Sequence, residues 1–219
     1  MISVVLPVLN GEDYIAGAIS SAQEAGVGEV VVIDDGSEDR TVEIARGFEI
    51  VRLFENPGPT LADSYNKGFE EARGDRFTVI GHDDTIEPGA MDALGAALDA
   101  GAAIAFGQVN YVLAEAGRPP ASVRPGLLDE PQDAILLEAM LVTREAFERV
   151  GPMRHGVWCD VDWFARLGET DLPVARVPEV VTRKRLRADS AMHVAAEENP
   201  AGMLRVLRDA IERRRSAAS

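Results

Sequence analysis

The 219-residue chain contains a single cysteine, Cys159, and no run that approaches the ~20 apolar residues of a membrane span. One cysteine rules out a disulfide within the chain and suits a reducing compartment. The amino terminus enters a predicted strand instead of a charged segment followed by an apolar signal core. We therefore expect a cytoplasmic protein without a membrane-spanning helix.

Positive charge is also scarce. The chain has 22 Lys and Arg residues against 37 Asp and Glu residues, which gives a formal net charge of -15. A general affinity for nucleic acid needs basic side chains that neutralise phosphates, so this composition argues against nucleic-acid binding and fits metal-assisted binding of an anionic ligand better. The basic residues concentrate at residues 183–187 and 213–215, where solvated surface is the alternative interpretation.

The glycine signature G-x-G-x-x-G is missing after the first predicted strand, where Pro7-Val8-Leu9-Asn10-Gly11 stands instead. In dinucleotide-binding proteins that signature lets the backbone cradle a pyrophosphate at a helix N-terminus. Its absence argues against a nicotinamide-dependent Rossmann enzyme.

Short apolar runs alternate with helical patterns through the first hundred residues. Strands are predicted at residues 2–6, 30–33 and 49–54, and in the run that leads to Asp83-Asp84. Such alternation predicts parallel strands joined by right-handed crossovers. Asn10 is the predicted cap of the first helix, and Pro88 is predicted to open the fourth. The third helix carries a predicted core stripe of Leu61, Tyr65, Phe69 and Ala72.

The pattern changes after residue 100 and predicts added β elements. Residues 103–113 form a long extended run, and residues 140–143 predict a strand that leads into a helix at residues 144–150. Two short strands at residues 174–177 and 180–182 precede a predicted basic loop at residues 183–193. Together these elements predict one α/β domain whose central sheet is mixed, mostly parallel and flanked by helices.

An amphipathic helix is predicted at the end of the chain, with Asn199 as its cap and Pro200 as its first residue. Its apolar face could pack on the core, pair with a second subunit to form a homodimer, or touch an anionic membrane surface. That face consists of Met203, Val206, Leu207, Ala210 and Ile211.

Carboxylates follow two of the predicted strands directly, as Asp34-Asp35 and Asp83-Asp84. Because open α/β sheets bind ligands outside the carboxyl ends of their strands, both pairs are candidates for chemistry. A further pair stands in Asp160-Val161-Asp162 at the start of a predicted helix. The preference for negative charge at a helix N-terminus is the alternative explanation of that pair.

Several segments together carry a family resemblance. They are residues 4–10 (VVLPVLN), 30–37 (VVVIDDGS), 66–75 (NKGFEEARGD) and 143–147 (TREAF), with Asp83-Asp84 before Pro88, and Asp160-Val161-Asp162. In this order and spacing they resemble the inverting GT-A-fold nucleotide-sugar glycosyltransferases of family 2. The resemblance implies a single GT-A domain at residues 1–198, with a nucleotide-sugar-binding half at 1–100 and an acceptor-side half at 101–198. A C-terminal helix at residues 199–219 follows.

The resemblance also implies a donor site. Pro7, Leu9 and Asp35 would line the pocket for the base and ribose of a nucleoside-diphosphate sugar, and Asp35 would accept a hydrogen bond from the base. Asp83 and Asp84 would bind Mn²⁺ or Mg²⁺, since hard carboxylate oxygens suit these ions. Such an ion would bridge the donor diphosphate and neutralise the leaving group.

For the acceptor side, the resemblance makes Asp160 the general base. It would take the proton of an acceptor hydroxyl that attacks the anomeric carbon from the opposite face and inverts its configuration. Asp162 would orient neighbouring groups or bind the acceptor. The alternative is a nucleotide-sugar-binding module of the same fold that has lost catalysis. The identities of sugar and acceptor would depend on loops near residues 113–134 and 183–199.

Four positions depart from the family pattern. Leu9 replaces an aromatic residue that would stack on the base, and Gly81 replaces the first acid of the acidic turn. Cys159 stands before Asp160 where an acid is common. A late metal-binding histidine corresponds to Arg187, which could contact the diphosphate directly but cannot bind a metal. His193 is a nearby substitute ligand or a surface imidazole.

Overall fold

A mixed sheet of nine strands forms the centre of the computed structural model, which describes residues 1–56, 58–114, 126–154, 156–187 and 200–217. The strands are β1 (Ile2–Val8), β2 (Glu29–Asp34), β3 (Val51–Glu55), β4 (Arg76–Val79), β5 (Thr85–Ile86), β6 (Ile104–Leu113), β7 (Gln132–Asp133), β8 (Met140–Thr143) and β9 (Val174–Leu186). The helices are α1 (Ile15–Glu24), α2 (Thr41–Arg46), α3 (Leu61–Glu71), α4 (Ala90–Asp99), α5 (Arg144–Val150), α6 (Cys159–Leu167) and α7 (Pro200–Ala217).

The first half of the sheet is parallel, as predicted. Its strand order is β3-β2-β1-β4, and the carboxyl ends of β1 and β2 meet where Val8 pairs with Asp34. Alternate side chains of these strands enter two cores, one on each face of the sheet. Helices α1, α2 and α4 cover one face and α3, α5 and α6 cover the other. Of the predicted core stripe of α3, Tyr65, Phe69 and Ala72 are buried, and Leu61 is partly buried against the same core.

The second half of the sheet is mixed, which confirms the predicted change of pattern. Strand β8 is antiparallel to both β4 and β6, whereas β9 runs parallel to β6. Short strand β5 continues the sheet beyond β9 and connects the end of β4 to helix α4. The acidic turn that follows β4 therefore lies close to the end of β9.

Two predicted strands and the start of a predicted loop prove to be one element. Strand β9 runs unbroken from Val174 to Leu186, so the loop prediction is wrong for residues 183–186. The physical reason is pairing: residues 183–186 pair with β6 from Asn110 to Leu113, and Arg183 also pairs with Thr85 of β5. A polar strand like this has no apolar run to reveal it. Residues 188–193 of the predicted loop, including His193, lie outside the described residues.

Two predicted helix starts are also wrong. Asn10 does not cap α1, which begins at Ile15. Instead the Asn10 side chain accepts a hydrogen bond from the Glu38 backbone N–H at 2.9 Å and ties the loops after β1 and β2 together. Pro88 does not open α4, because Gly89 takes a left-handed conformation (φ 77°) and the helix begins at Ala90.

Helix α7 packs on α6, which confirms packing as one role of the predicted terminal helix. Val206 and Ala210 are buried, whereas Met203, Leu207 and Ile211 of the predicted apolar face are exposed. The homodimer and the membrane contact therefore stay predictions, and the predicted cap Asn199 lies outside the described residues. Within the described ranges, no helix has the length and apolar character needed to cross a membrane.

Helix α3 approaches the sheet most closely at Gly68. A Cβ atom added there would lie 2.3 Å from Cγ1 of Val5 in β1, far inside contact distance. Because β1 is buried between two helical layers, it cannot move aside to accept the extra methyl group. We expect Gly68→Ala to lower the free energy of unfolding by about 1–3 kcal/mol in a denaturant titration.

Gly17→Ala is the matched control, since Gly17 lies inside helix α1 and an added Cβ atom would meet nothing within 4 Å. Alanine favours a helix more than glycine does, so this variant should gain up to about 1 kcal/mol. Equal effects of the two substitutions would show that the close approach of α3 does not matter.

Candidate active site

Asp35 lies at the carboxyl end of β2, beside the end of β1. Its backbone N–H donates to the Val8 carbonyl at 2.8 Å, and its Oδ1 accepts from Ser64 Oγ at 2.6 Å and from Asn56 Nδ2 at 2.7 Å. Burial raises the pKa of Asp35, while the two hydrogen bonds oppose that rise. In the described residues both side-chain bonds end on Oδ1, so Oδ2 can accept from a ligand.

The neighbouring Asp34 stabilises the turn that follows β2. Its carboxylate is buried and accepts from the backbone N–H groups of Gly36 and Ser37, at 3.3 Å and 3.2 Å. These bonds close the turn that carries the chain away from β2 and present Asp35 at the sheet edge. Of the predicted Asp34-Asp35 pair, Asp34 therefore builds the turn.

Pro7 and Leu9 reach the same edge from β1. Pro7 is buried and pairs with Ile33 of β2. Leu9 follows the last residue of β1 and is 51% exposed, so it offers an apolar surface without an aromatic ring. The structure thus brings Pro7, Leu9 and Asp35 to one place at the ends of two parallel strands.

Asp84 is buried and fully engaged within the fold. Its Oδ2 accepts from Lys184 Nζ at 3.0 Å, and its Oδ1 accepts from the Arg185 backbone N–H at 2.7 Å. Lys184 also donates to Glu138 Oε1 at 2.7 Å. Burial raises the pKa of Asp84 to about 6, because Lys184 offsets only part of the effect. Burial alone would lower the pKa of Lys184, but the charges of Glu138 and Asp84 raise it.

Sequence reasoning missed Glu138 and this role of Lys184. Glu138 interrupts the apolar run at residues 135–142, and an isolated acid in such a run is the signal that could have found it. Lys184 lies in the stretch predicted as a basic loop, and a loop prediction does not identify the partners of its side chain. The two residues come together because β9 passes directly over the short 3₁₀ turn Leu137–Ala139.

Asp83 faces the basic end of β9. Its Oδ2 lies 3.6 Å from a terminal nitrogen of Arg187, and its backbone carbonyl accepts from Arg185 Nε at 2.9 Å. The guanidinium carbons of Arg185 and Arg187 lie 5.2 Å and 5.1 Å from the ring centre of Tyr14, within cation–π range. Tyr14 is therefore a further site residue that sequence reasoning missed.

Asp160 stands in the first turn of α6. Its Oδ1 accepts from the Val161 backbone N–H at 2.7 Å. Burial raises the pKa of Asp160 to about 6; the Val161 bond lowers it, Glu138 raises it and Lys184 lowers it. Glu138 and Lys184 are the same two residues that shift the pKa of Asp84. Leu137 and Cys159, the chain neighbours of Glu138 and Asp160, are buried in one hydrophobic cluster.

Asp162 has no access to an acceptor, because its side chain is fully buried. Its Oδ2 accepts from Arg166 Nε at 2.8 Å, and its Oδ1 lies 3.5 Å from Arg213 of helix α7. Of its two predicted roles, orienting neighbouring groups therefore fits and acceptor binding does not. Cys159 is also buried, and burial raises the pKa of its thiol to about 12.

Metal ligands are few at this site. No group of three or more His, Cys, Asp and Glu side chains suited to a metal ion occurs in the described part of the chain. Gly81 provides no ligand, and a Cβ atom there would lie 2.8 Å from Oδ2 of Asp84 and 3.2 Å from Oδ1 of Asp83. A side chain at position 81 would therefore collide with the carboxylate of Asp84.

The sequence from residue 3 to residue 149 matches the family profile described as glycosyl transferase family 2. The chain belongs to glycosyl transferase family 2. A glycosyltransferase of Haemophilus influenzae is 37% identical over 95 residues, which cover 39% of this chain and 37% of that protein. The dolichol-phosphate mannosyltransferase of Pyrococcus furiosus is 32% identical over 120 residues, which cover 51% of this chain and 33% of that protein. The matched segment therefore spans about a third of these relatives.

Among solved structures, S. aureus TarS 1-349 in complex with UDP-GlcNAc superposes on this family 2 chain with a TM-score of 0.74. The match covers 95% of this chain and 65% of that chain, at 17% sequence identity. At this identity the likeness shows the fold alone. The predicted GT-A fold is confirmed.

Proposed function

We propose that this chain transfers a sugar from a nucleoside-diphosphate sugar to an acceptor hydroxyl with inversion of the anomeric configuration. The observation that carries the proposal is the packing that links Asp160 to the acidic turn: Leu137 and Cys159, the chain neighbours of Glu138 and Asp160, share one buried cluster, and Lys184 joins Glu138 to Asp84. The charges of Glu138 and Lys184 shift the pKa values of both Asp84 and Asp160, and Asp35 stands at the end of a strand in the same sheet. A base on one side of a donor site is the arrangement that inversion requires.

The donor side rests on the edge formed by β1 and β2. Asp35 has one carboxylate oxygen to accept from a base, Leu9 adds exposed apolar surface beside it, and the buried Pro7 lies in the strand that ends there. S. aureus TarS has the same fold and has been solved with UDP-GlcNAc and with UDP, which supports a nucleotide-sugar donor here. Without an aromatic ring at Leu9, the base would be held by hydrogen bonds more than by stacking.

The proposed reaction exchanges one bond at the anomeric carbon for another. The acceptor oxygen forms a bond to that carbon while the bond to the diphosphate oxygen breaks, and the nucleoside diphosphate leaves with the electron pair. Asp160 takes the proton of the acceptor hydroxyl. Since burial raises the pKa of Asp160 to about 6, this carboxylate is ionised at neutral pH yet more basic than an ordinary aspartate.

The divalent ion predicted from the resemblance fits these residues poorly. An ion at the acidic turn would be held by Asp83, because both oxygens of Asp84 are engaged within the fold. It would also face the positive charges of Lys184 and Arg187. When bound, Mn²⁺ or Mg²⁺ would neutralise charge on the leaving diphosphate. The steps proposed above use only side chains of this chain.

Asp35→Asn tests the donor pocket. The amide keeps the shape of the side chain but removes a charged acceptor for the base, so we expect a nucleoside diphosphate to bind about 5–30-fold more weakly in titration calorimetry. Asp99→Asn is the control, since Asp99 is an exposed partner of Arg76, which lies at the amino end of β4 and so at the opposite edge of the parallel strands from Asp35. Equal affinity of the Asp35 variant and the parent chain would exclude Asp35 from the base pocket.

A panel of nucleoside diphosphates and their sugars tests the whole proposal. We expect at least one diphosphate to bind with a stoichiometry of one, and its sugar to be turned over with release of the diphosphate. Binding without turnover of any sugar would favour the catalytically impaired module of the same fold. Failure of every diphosphate to bind, with and without Mn²⁺, would reject both the sugar-transferring enzyme and the catalytically impaired module.

A further inference from the structure

The acidic turn after β4 is neutralised by side chains of the chain itself. Three carboxylates lie there, from Asp83, Asp84 and Glu138, and they are met by the basic segment (residues 184–187) at the end of β9. Lys184 pairs with Asp84 and Glu138, Arg187 pairs with Asp83, and Arg185 donates to the backbone carbonyl of Asp83. Lys184 lies between the two buried acids, and this pairing offsets the cost of burying them. The turn therefore lacks the excess negative charge that holds a divalent cation.

Strand geometry directs the basic segment in two directions. Because side chains alternate along a strand, Lys184 and Arg185 point to opposite faces. Arg187 follows the last residue of β9 and lies on the same side as Arg185, since both are within reach of the Tyr14 ring. Lys184 donates hydrogen bonds to Asp84 and Glu138. Both arginines lie against the ring of Tyr14, which limits their freedom before any ligand arrives.

The arginine face is chemically suited to a diphosphate. A guanidinium presents several N–H donors in a planar fork that matches two phosphate oxygens and keeps its charge at every physiological pH. The contact between Arg187 and Asp83 is an ion pair of 3.6 Å, longer than a hydrogen bond. A diphosphate oxygen could displace this long contact and gain a shorter one.

We propose that Arg185 and Arg187 bind the donor's diphosphate directly and supply the positive charge that stabilises it as the leaving group, so that donor binding needs no divalent ion. The proposal rests on the nucleotide-sugar transfer proposed above. Lys184 keeps the turn neutral, Tyr14 holds the two arginines, and the guanidinium groups receive the charge that develops as the sugar bond breaks.

Calorimetry of the full chain with UDP, GDP, ADP, CDP and dTDP, in EDTA and then in Mn²⁺, tests the proposal. For the diphosphate that binds best, we expect the dissociation constant in EDTA to lie within about threefold of that in Mn²⁺, a difference worth less than one hydrogen bond. Arg187→Ala should weaken binding in EDTA at least about tenfold, as the loss of a charge-assisted contact predicts. Inorganic pyrophosphate should show the same pattern, since the contact is to the diphosphate.

Arg183→Ala is the matched control. Arg183 lies in the same strand, pairs with Glu87 at 3.0 Å and is half exposed, so its loss should change the dissociation constant less than about twofold. Arg187→His provides a second variant, because imidazole can join Asp83 as a metal ligand. We expect it to bind weakly in EDTA and to recover with Mn²⁺. Thermal unfolding curves establish that each variant is folded.

Binding of the parent chain that appears only with Mn²⁺ would overturn the proposal, as would a folded Arg187→Ala variant that binds in EDTA like the parent. Either result leaves sugar transfer intact if turnover occurs with Mn²⁺. No binding of any diphosphate under any condition would reject the proposed function as well. The two failures are therefore distinguishable.

Discussion

Asp160→Asn should lower the rate of sugar transfer by about a hundredfold to ten-thousandfold, the usual contribution of a general base. The side-chain amide of asparagine occupies the same space but cannot take the proton of the acceptor hydroxyl. Because a base acts on the acceptor, the dissociation constant of the nucleoside diphosphate should stay nearly unchanged. Steady-state kinetics and calorimetry on the same preparation check both parts of this expectation.

A pH profile separates a base from a residue that only shapes the site. Since the ionised carboxylate is the active form and the pKa of Asp160 lies near 6, kcat/KM of the parent chain should fall as pH drops below about 6. Asp84 has a similar pKa, so diphosphate binding without acceptor is measured over the same range to isolate its effect. Asp171→Asn, at an exposed carboxylate paired with Arg149, should behave like the parent. A fully active Asp160→Asn variant would show that the base lies elsewhere.

Lys184→Met should destabilise the fold by about 3 kcal/mol, because it leaves two buried carboxylates without their shared cation. Asp84 is almost completely buried and Glu138 is mostly so, and Lys184 lies 3.0 Å and 2.7 Å from them. Methionine keeps the apolar stem of the side chain, so the loss of stability measures the contribution of the positive charge. The free energy of unfolding from denaturant titration measures it.

Lys67→Met is the matched control for that substitution. Lys67 is exposed to nearly the same extent and also meets two carboxylates, Glu70 and Glu71, but these lie on the surface of helix α3. Its loss should cost only about 0.3–0.5 kcal/mol. Adding Glu138→Gln to Lys184→Met should recover part of the stability, since it removes one unpaired charge. Equal losses at Lys184 and Lys67 would contradict a buried charge triad.

The parallel half of the fold could be predicted because its information is local. Residues 30–33 form an uninterrupted apolar run, as a strand covered on both faces must, and the segment of helix α3 has apolar residues at steps of four, four and three. The acids at the ends of β2 and β4 follow directly from these elements. Asp35 and Asp83 could therefore be placed at the sheet edge from the sequence alone.

The rest depends on pairing between distant parts of the chain. The end of β9 has a polar sequence and is a strand only because β6 and β5 pair with it. Once it is a strand, Lys184 reaches Asp84 and Glu138, and the acidic turn becomes neutral. A sequence shows that Asp84 is an acid after a strand, but not that its oxygens are already bonded. Asp162 is similar, since its burial arises from Arg166 and helix α7.

A crystal structure of this chain with a nucleoside-diphosphate sugar tests the central claim most directly: that one edge of the sheet holds the donor between Asp35 and Asp160. We predict the base beside Asp35, the diphosphate against Arg187, and the anomeric carbon facing Asp160. A donor bound elsewhere on the molecule, or one whose anomeric carbon points away from Asp160, would contradict the claim.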